Sequence, residues 1–120
     1  MSKIDIPQIK LQNGETIPQF GLGVYQIPER ECEEVCLKAI KLGYRHIDTA
    51  QIYGNERAVG AAIKKSKSLG LERKDFFITT KIWITDFEKG KAKRQVDEML
   101  KRLDTDYIDL LLLHFLKIIT

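Results

Sequence analysis

Three apolar segments end in polar side chains at equal intervals, and that spacing constrains the fold more than any other feature of the chain. RHID ends at Asp48, FFITTKIW carries Lys81 near its end, and YIDLLLLH ends at His114; Asp48, Lys81 and His114 lie 33 residues apart. One strand, a crossover helix and the next parallel strand need about 30 residues or more, so each interval fits one β-α unit. The stretches between are patterned as amphipathic helices. Cys32, Val35, Cys36, Ala39 and Ile40 form one apolar stripe, Val59, Ala62 and Ile63 a second, and Val96, Met99, Leu100 and Leu103 a third. Apolar strands alternating with such helices predict an α/β fold, a parallel sheet covered by helices.

Turn chemistry sets the remaining boundaries. QIKLQNGETIP (Gln8 to Pro18) reads as a β-hairpin around a two-residue turn at Asn13-Gly14. FGLGV (Phe20 to Val24) reads as a strand, Pro28 precedes the first helix and Gly43 stops it. Asn55 is expected to cap the second helix. The order is a hairpin followed by β-α-β-α-β-α-β in a single domain over residues 1–120.

Several function classes find little support. No basic start followed by a long apolar run marks a secretory leader, and no apolar run is long enough to cross a bilayer, so a cytoplasmic protein is expected. The net charge of +3 is mild. Lysines cluster at Lys64, Lys65 and Lys67 and in EKGKAKR (Glu88 to Arg94), but Glu72, Asp75, Asp97 and Glu98 interrupt the field, so solvated helix faces are expected and nucleic acid is not. Cys32 and Cys36 could share a metal only with further ligands, which the sequence does not supply; both are expected in the core, with no metal site.

In an α/β barrel the carboxyl ends of the strands open on one face, where loops build active sites. Asp48, Lys81 and His114 would converge there, joined by Tyr53 from the loop after Asp48. Singly, each has an ordinary reading: a rim histidine, a lysine extending to solvent, a turn aspartate, a tyrosine packed on a helix end. Together, at one depth on successive units, they point to chemistry.

The residues also carry a resemblance. GYRHIDTAQIYGNE (Gly43 to Glu56) resembles the signature of the aldo-keto reductase family, ITTKIW (Ile78 to Trp83) and DLLLLH (Asp109 to His114) resemble its next two active-site segments, and FGLGVYQI is similar to its first strand. The resemblance runs from about Lys10 to Phe115. It implies a (β/α)8 barrel reducing aldehydes or ketones with NADPH. It assigns Asp48, Tyr53, Lys81 and His114 to a catalytic tetrad, Tyr25 and Trp83 to the walls of the substrate pocket, and Gly23, Val24 and Asp48 to cofactor contact. Hydride arriving at a carbonyl carbon leaves negative charge on oxygen, which must be stabilised and protonated. Tyr53 would be the proton donor, since a phenol (pKa about 10) releases its proton more readily beside an ammonium. Asp48 would hold Lys81, and His114 would orient the carbonyl oxygen.

A complete barrel takes about 250 residues, and this chain offers four strands. Leu116 stands where the family usually has proline, and residues 116–120 depart from its pattern. The expectation is the front half of such an enzyme: residues 1–18 a hairpin cap, 19–115 β-α units, 116–120 a tail outside the family. The alternative is an inactive truncated fragment, or a half barrel lacking the cofactor site that dimerises through exposed strand edges.

Overall fold

Residues 4–83 and 90–114 are described by the computed structural model. The hairpin forms first, β1 (Gln8–Lys10) antiparallel to β2 (Thr16–Pro18), with Ile9 opposite Ile17. Its connection differs from the expected two-residue turn. Leu11 N–H bonds Glu15 O and Gly14 N–H bonds Leu11 O, so the loop has three residues, with Gly14 at φ +88 in its last position. That geometry also needs a left-handed residue. Asn13 accepts the Glu15 N–H at 2.9 Å instead of sharing the turn centre.

Four strands then form one parallel sheet in chain order: β3 (Leu22–Gly23), β4 (His46–Asp48), β5 (Phe77–Trp83) and β6 (Leu110–His114). β3 is shorter than the expected Phe20 to Val24. It is an edge strand among the described residues, and only Leu22 and Gly23 find ladder partners, in Ile47 and Asp48. Three helices cross between the strands: α1 (Glu29–Leu42), α2 (Glu56–Lys65) and α3 (Lys91–Leu103). The helix α1 starts after Pro28 and stops at Gly43, whose φ of +117 suits glycine. A side chain at Gly43 would also strike Ile4 O, because Ile4 N–H bonds the Leu42 carbonyl at 2.7 Å.

Alternation along the strands separates two faces. Ile47, Ile78 and Ile82 point to the helices and are buried, and Cys32, Cys36, Ile40, Val59, Ala62, Phe76 and Leu103 pack with the first two. The cysteines thus fill core space, as expected; their Sγ atoms lie 3.9 Å apart, and that contact together with burial pushes the Cys36 thiol up. Polar ties cross the same layer. Glu56, buried at 1 %, accepts from Thr80 Oγ1 and Arg102 Nε, each at 2.7 Å, joining α2, β5 and α3. Arg102 Nη2 is as close to the carboxylate but poorly aligned, so Nε carries the bond. At the amino ends of the strands, Arg73 bonds Thr105, Phe76 O, Tyr107 O and Asp109, and Asp109 receives the Ile78 N–H. The lysines expected on solvated faces sit there: Lys64 pairs with Asp104 and Lys65 with Glu33. Residues 88–89 of the second basic cluster and the 115–120 segment lie outside the described residues. Among those described, no helix is long and apolar enough to cross a membrane.

Helices α2 and α3 approach closely at Gly60 on α2, where an added Cβ would sit 2.4 Å from Leu103 O. Gly60→Ala would gain about 1 kcal/mol of helix propensity, but the obstacle is backbone and cannot rotate aside. A net loss of about 1–3 kcal/mol is expected, the range for overpacking, read as a lower urea midpoint at unchanged slope.

Candidate active site

The face of the sheet turned away from the helices carries the polar row. His46, Asp48, Thr79 and Lys81 share it, because Ile47, Ile78 and Thr80 between them face the helices. The register sets Asp48 opposite Thr79, one pair short of Lys81 on the same face. The Lys81 side chain reaches back across the sheet, where Nζ donates to Asp48 Oδ1 and, at 3.0 Å, to Thr49 O. Its side chain is 15 % exposed and that of Asp48 39 %. The ammonium is therefore oriented by two acceptors while one side stays open. Tyr53 follows on a short 3-10 turn (Gln51–Tyr53), and Lys81 Nζ lies 5.2 Å from its ring centre. Asp48, Tyr53 and Lys81 are thus brought together from two successive units.

The other expected site residues take these places. Tyr25, 65 % exposed, lies ring against ring with Tyr53, centres 5.2 Å apart and planes at 50°. Trp83 ends β5, and its N–H bonds Gln51 Oε1 at 3.2 Å. Gly23 pairs with Asp48, with no heavy atom within 4 Å of where a Cβ would stand, and Val24 N–H bonds Asp48 O. His114 closes β6 with its backbone opposite Trp83; its side chain lies outside the described part of the structure.

Two amides near the site were not singled out for it by sequence reasoning. Asn55 stands at the start of α2 but makes no side-chain cap bond, contrary to expectation. Buried completely, it accepts from Thr49 Oγ1 at 2.8 Å and donates to Val24 O and Ile27 O. The Thr49 hydroxyl has taken the carboxamide oxygen that local capping would use. Gln51 joins Trp83 N–H to Gln95 of α3. Both lie inside the Gly43 to Glu56 stretch, and that density of motif residues was the available signal.

Comparison with known proteins shows the family. The Aldo/keto reductase family model matches residues 17–120. Glycerol 2-dehydrogenase (NADP(+)) of Saccharomyces cerevisiae is 47 % identical over 107 residues, covering 89 % of this chain and 33 % of that protein. Methylglyoxal reductase DkgB of Salmonella typhi is 48 % identical over 100 residues, 83 % of this chain and 36 % of its own. Among solved structures, an aldo/keto reductase from Brucella melitensis superposes with a TM-score of 0.85 at 48 % identity, covering 92 % of this chain and 41 % of that one. The chain therefore spans about a third of the length of the curated relatives it matches, and its hairpin, four parallel strands and three helices correspond to part of a (β/α)8 barrel.

Beneath the site, His46 shares a hydrogen bond with Thr79 Oγ1 at 2.8 Å, packs edge-on to Phe77, and has Gly21 pressed on its ring. Burial holds its pKa below the ordinary 6.5, against the opposing pull of Asp48. The unfolded chain therefore takes up this proton first as pH falls. Stability is full above 6.5 and declines below it until the lowered folded value is passed. Urea midpoints at pH 7.5 and 5.0 should differ more for the wild type than for His46→Gln; equal differences would remove His46 from the pH dependence.

Proposed function

Because the chain belongs to the aldo/keto reductase family, we propose that it carries the proton-transfer part of an NADPH-dependent carbonyl reductase acting on aldehydes or ketones. The observation that supports this most is the Asp48–Lys81–Tyr53 contact. Proton transfer from the Tyr53 hydroxyl to the carbonyl oxygen would leave a phenolate, and a nearby ammonium stabilises that product. Asp48 and Thr49 O hold the ammonium in place, so no lysine rearrangement is required during the step. His114 would orient the carbonyl oxygen, and Tyr25 and Trp83 would wall the substrate. Two of the relatives, a glycerol dehydrogenase and a methylglyoxal reductase, are named for small hydroxy or carbonyl compounds, which favours a small substrate.

The residues fit the cofactor in one respect: the space beside Gly23, next to Asp48, is open to a flat group lying on backbone. When bound, NADPH supplies the hydride. Gly23 and Asp48 would contact it from this side; Val24, expected to join them, is fully buried in the core and would only back the strand. Tyr53→Phe should reduce NADPH consumption with methylglyoxal by at least about 10²-fold, the lower range for general acid catalysis, with the circular dichroism spectrum unchanged. Turnover equal to wild type would discard Tyr53 as the donor. Titration of NADPH without substrate measures the cofactor contact separately.

A second reading has its own observation. On β6, Leu113 is 65 % exposed and Leu110, Leu111 and Leu112 are 36–40 % exposed, and β3 and β6 are both edges of the described sheet. Unpaired parallel edges flanked by leucine invite association. A two-fold axis along the strands would set β6 of one copy beside β3 of another, in the parallel sense, and bring the strand number to eight. Light scattering on the eluted peak should give twice the chain mass for wild type and a smaller mass for Leu111→Lys/Leu113→Lys; a wild-type monomer at the same concentration would end this reading.

A further inference from the structure

We propose that Asn55 is a positioning residue that sets Tyr25 against Tyr53, through a turn it grips at both ends. The inference rests on the reading of Tyr53 as proton donor and extends it to the group that places the adjoining wall of the pocket.

Residues 24–27 form a turn closed by the Ile27 N–H on Val24 O at 3.1 Å. Tyr25 and Gln26 occupy its corner, and Gln26 sits at φ +64, a left-handed conformation disfavoured for a residue with a Cβ. Nothing in the local sequence favours it: no glycine or asparagine stands there. The Asn55 carboxamide supplies the missing restraint, with Nδ2 donating to Val24 O at 2.9 Å and to Ile27 O at 3.1 Å, the two carbonyls that bracket the corner. Its oxygen is fixed in turn by Thr49 Oγ1 at 2.8 Å. One buried amide thus joins the turn bearing Tyr25, the residue after Asp48 whose carbonyl receives Lys81, and the helix start immediately after Tyr53.

The geometry meets the requirement of a positioning group. The Asn55 hydrogen bonds run to the backbone of the Tyr25 turn and to Thr49, so the segments that define the separation of the two rings meet on its side chain. A buried amide with its hydrogen-bonding atoms engaged is costly to leave unpaired, so this arrangement is held as a unit. Aspartate could not substitute, because the atoms facing Val24 O and Ile27 O must donate. Tyr25, largely exposed on its outer side, then shields one flank of Tyr53.

Nitration by tetranitromethane, mapped by peptide mass spectrometry, tests this without recourse to turnover. The chain has four tyrosines, and Tyr44 and Tyr107 lie outside the gripped turn. In Asn55→Ala, which removes three hydrogen bonds, Tyr53 is expected to nitrate at least about tenfold faster, the factor that losing even one buried hydrogen bond implies, while Tyr44 and Tyr107 keep their wild-type rates. An unchanged Tyr53 rate in a folded variant would overturn the proposal. Should Asn55→Ala fail to fold, Thr49→Val removes only one of the three bonds; a smaller rise selective for Tyr53 is expected, and no selective rise would overturn the proposal equally. Because nitration does not depend on hydride transfer, a failed Tyr53→Phe turnover test would leave this result standing, and an unchanged nitration pattern would sink the positioning role alone.

Discussion

The parallel ladder between β4 and β5 is the constraint on which the site depends. It pairs His46 with Phe77 and Asp48 with Thr79, and so decides which side chains share a face. A shift by one residue would turn Asp48 toward the helices and Ile47 toward the site. That slip is resisted from the other side of the sheet, where Ile47 and Ile78 are packed under α1 and α2 with almost no exposure. Burial of hydrocarbon on one face thus fixes ionic geometry on the other. The Lys81–Asp48 pair is better understood as a result of this register than as its cause, since exposed or half-exposed ion pairs contribute little stability.

Much of this was legible in the sequence because strand parity and unit length leave few alternatives. The 33-residue interval between Asp48 and Lys81 translates directly into a contact, and the same interval joins His46 to Thr79. The helix stripes were also readable, with Cys32, Cys36, Met99 and Leu103 buried where periodicity placed them. The readings that missed involve competition between local and distant partners. Asn55 has the chemistry of a cap, yet the Thr49 hydroxyl outcompetes the helix amides for its oxygen, while its NH2 group is held by Val24 O and Ile27 O. FGLGV has the composition of a strand, yet at the sheet edge only two residues complete the ladder. No local pattern announces either outcome, because most of the deciding atoms lie 25 to 31 residues away.

The site itself divides along the same line. The types of residue at Asp48, Tyr53 and Lys81 suit the proposed carbonyl reduction, and their convergence follows from topology. The supports are less predictable from residue type alone. An asparagine and a glutamine in the loop between β4 and α2 hold the flanking segments, one by gripping a strained turn, the other by tying the end of β5 to α3. Loops of this kind gain their order from a few buried polar contacts, which is why a motif of modest length can specify a site built from distant segments.

The docking of Ile4 onto the end of α1 has a practical meaning for handling the molecule. Since α1 runs back toward the start of β4, that contact lies at the opposite end of the sheet from the Lys81 ammonium. A fluorophore attached at Ile4 would therefore stand at the end of the sheet remote from the proposed site. Its signal would follow the fraying of α1 while leaving ligand access unobstructed, giving separate optical channels for unfolding and for binding.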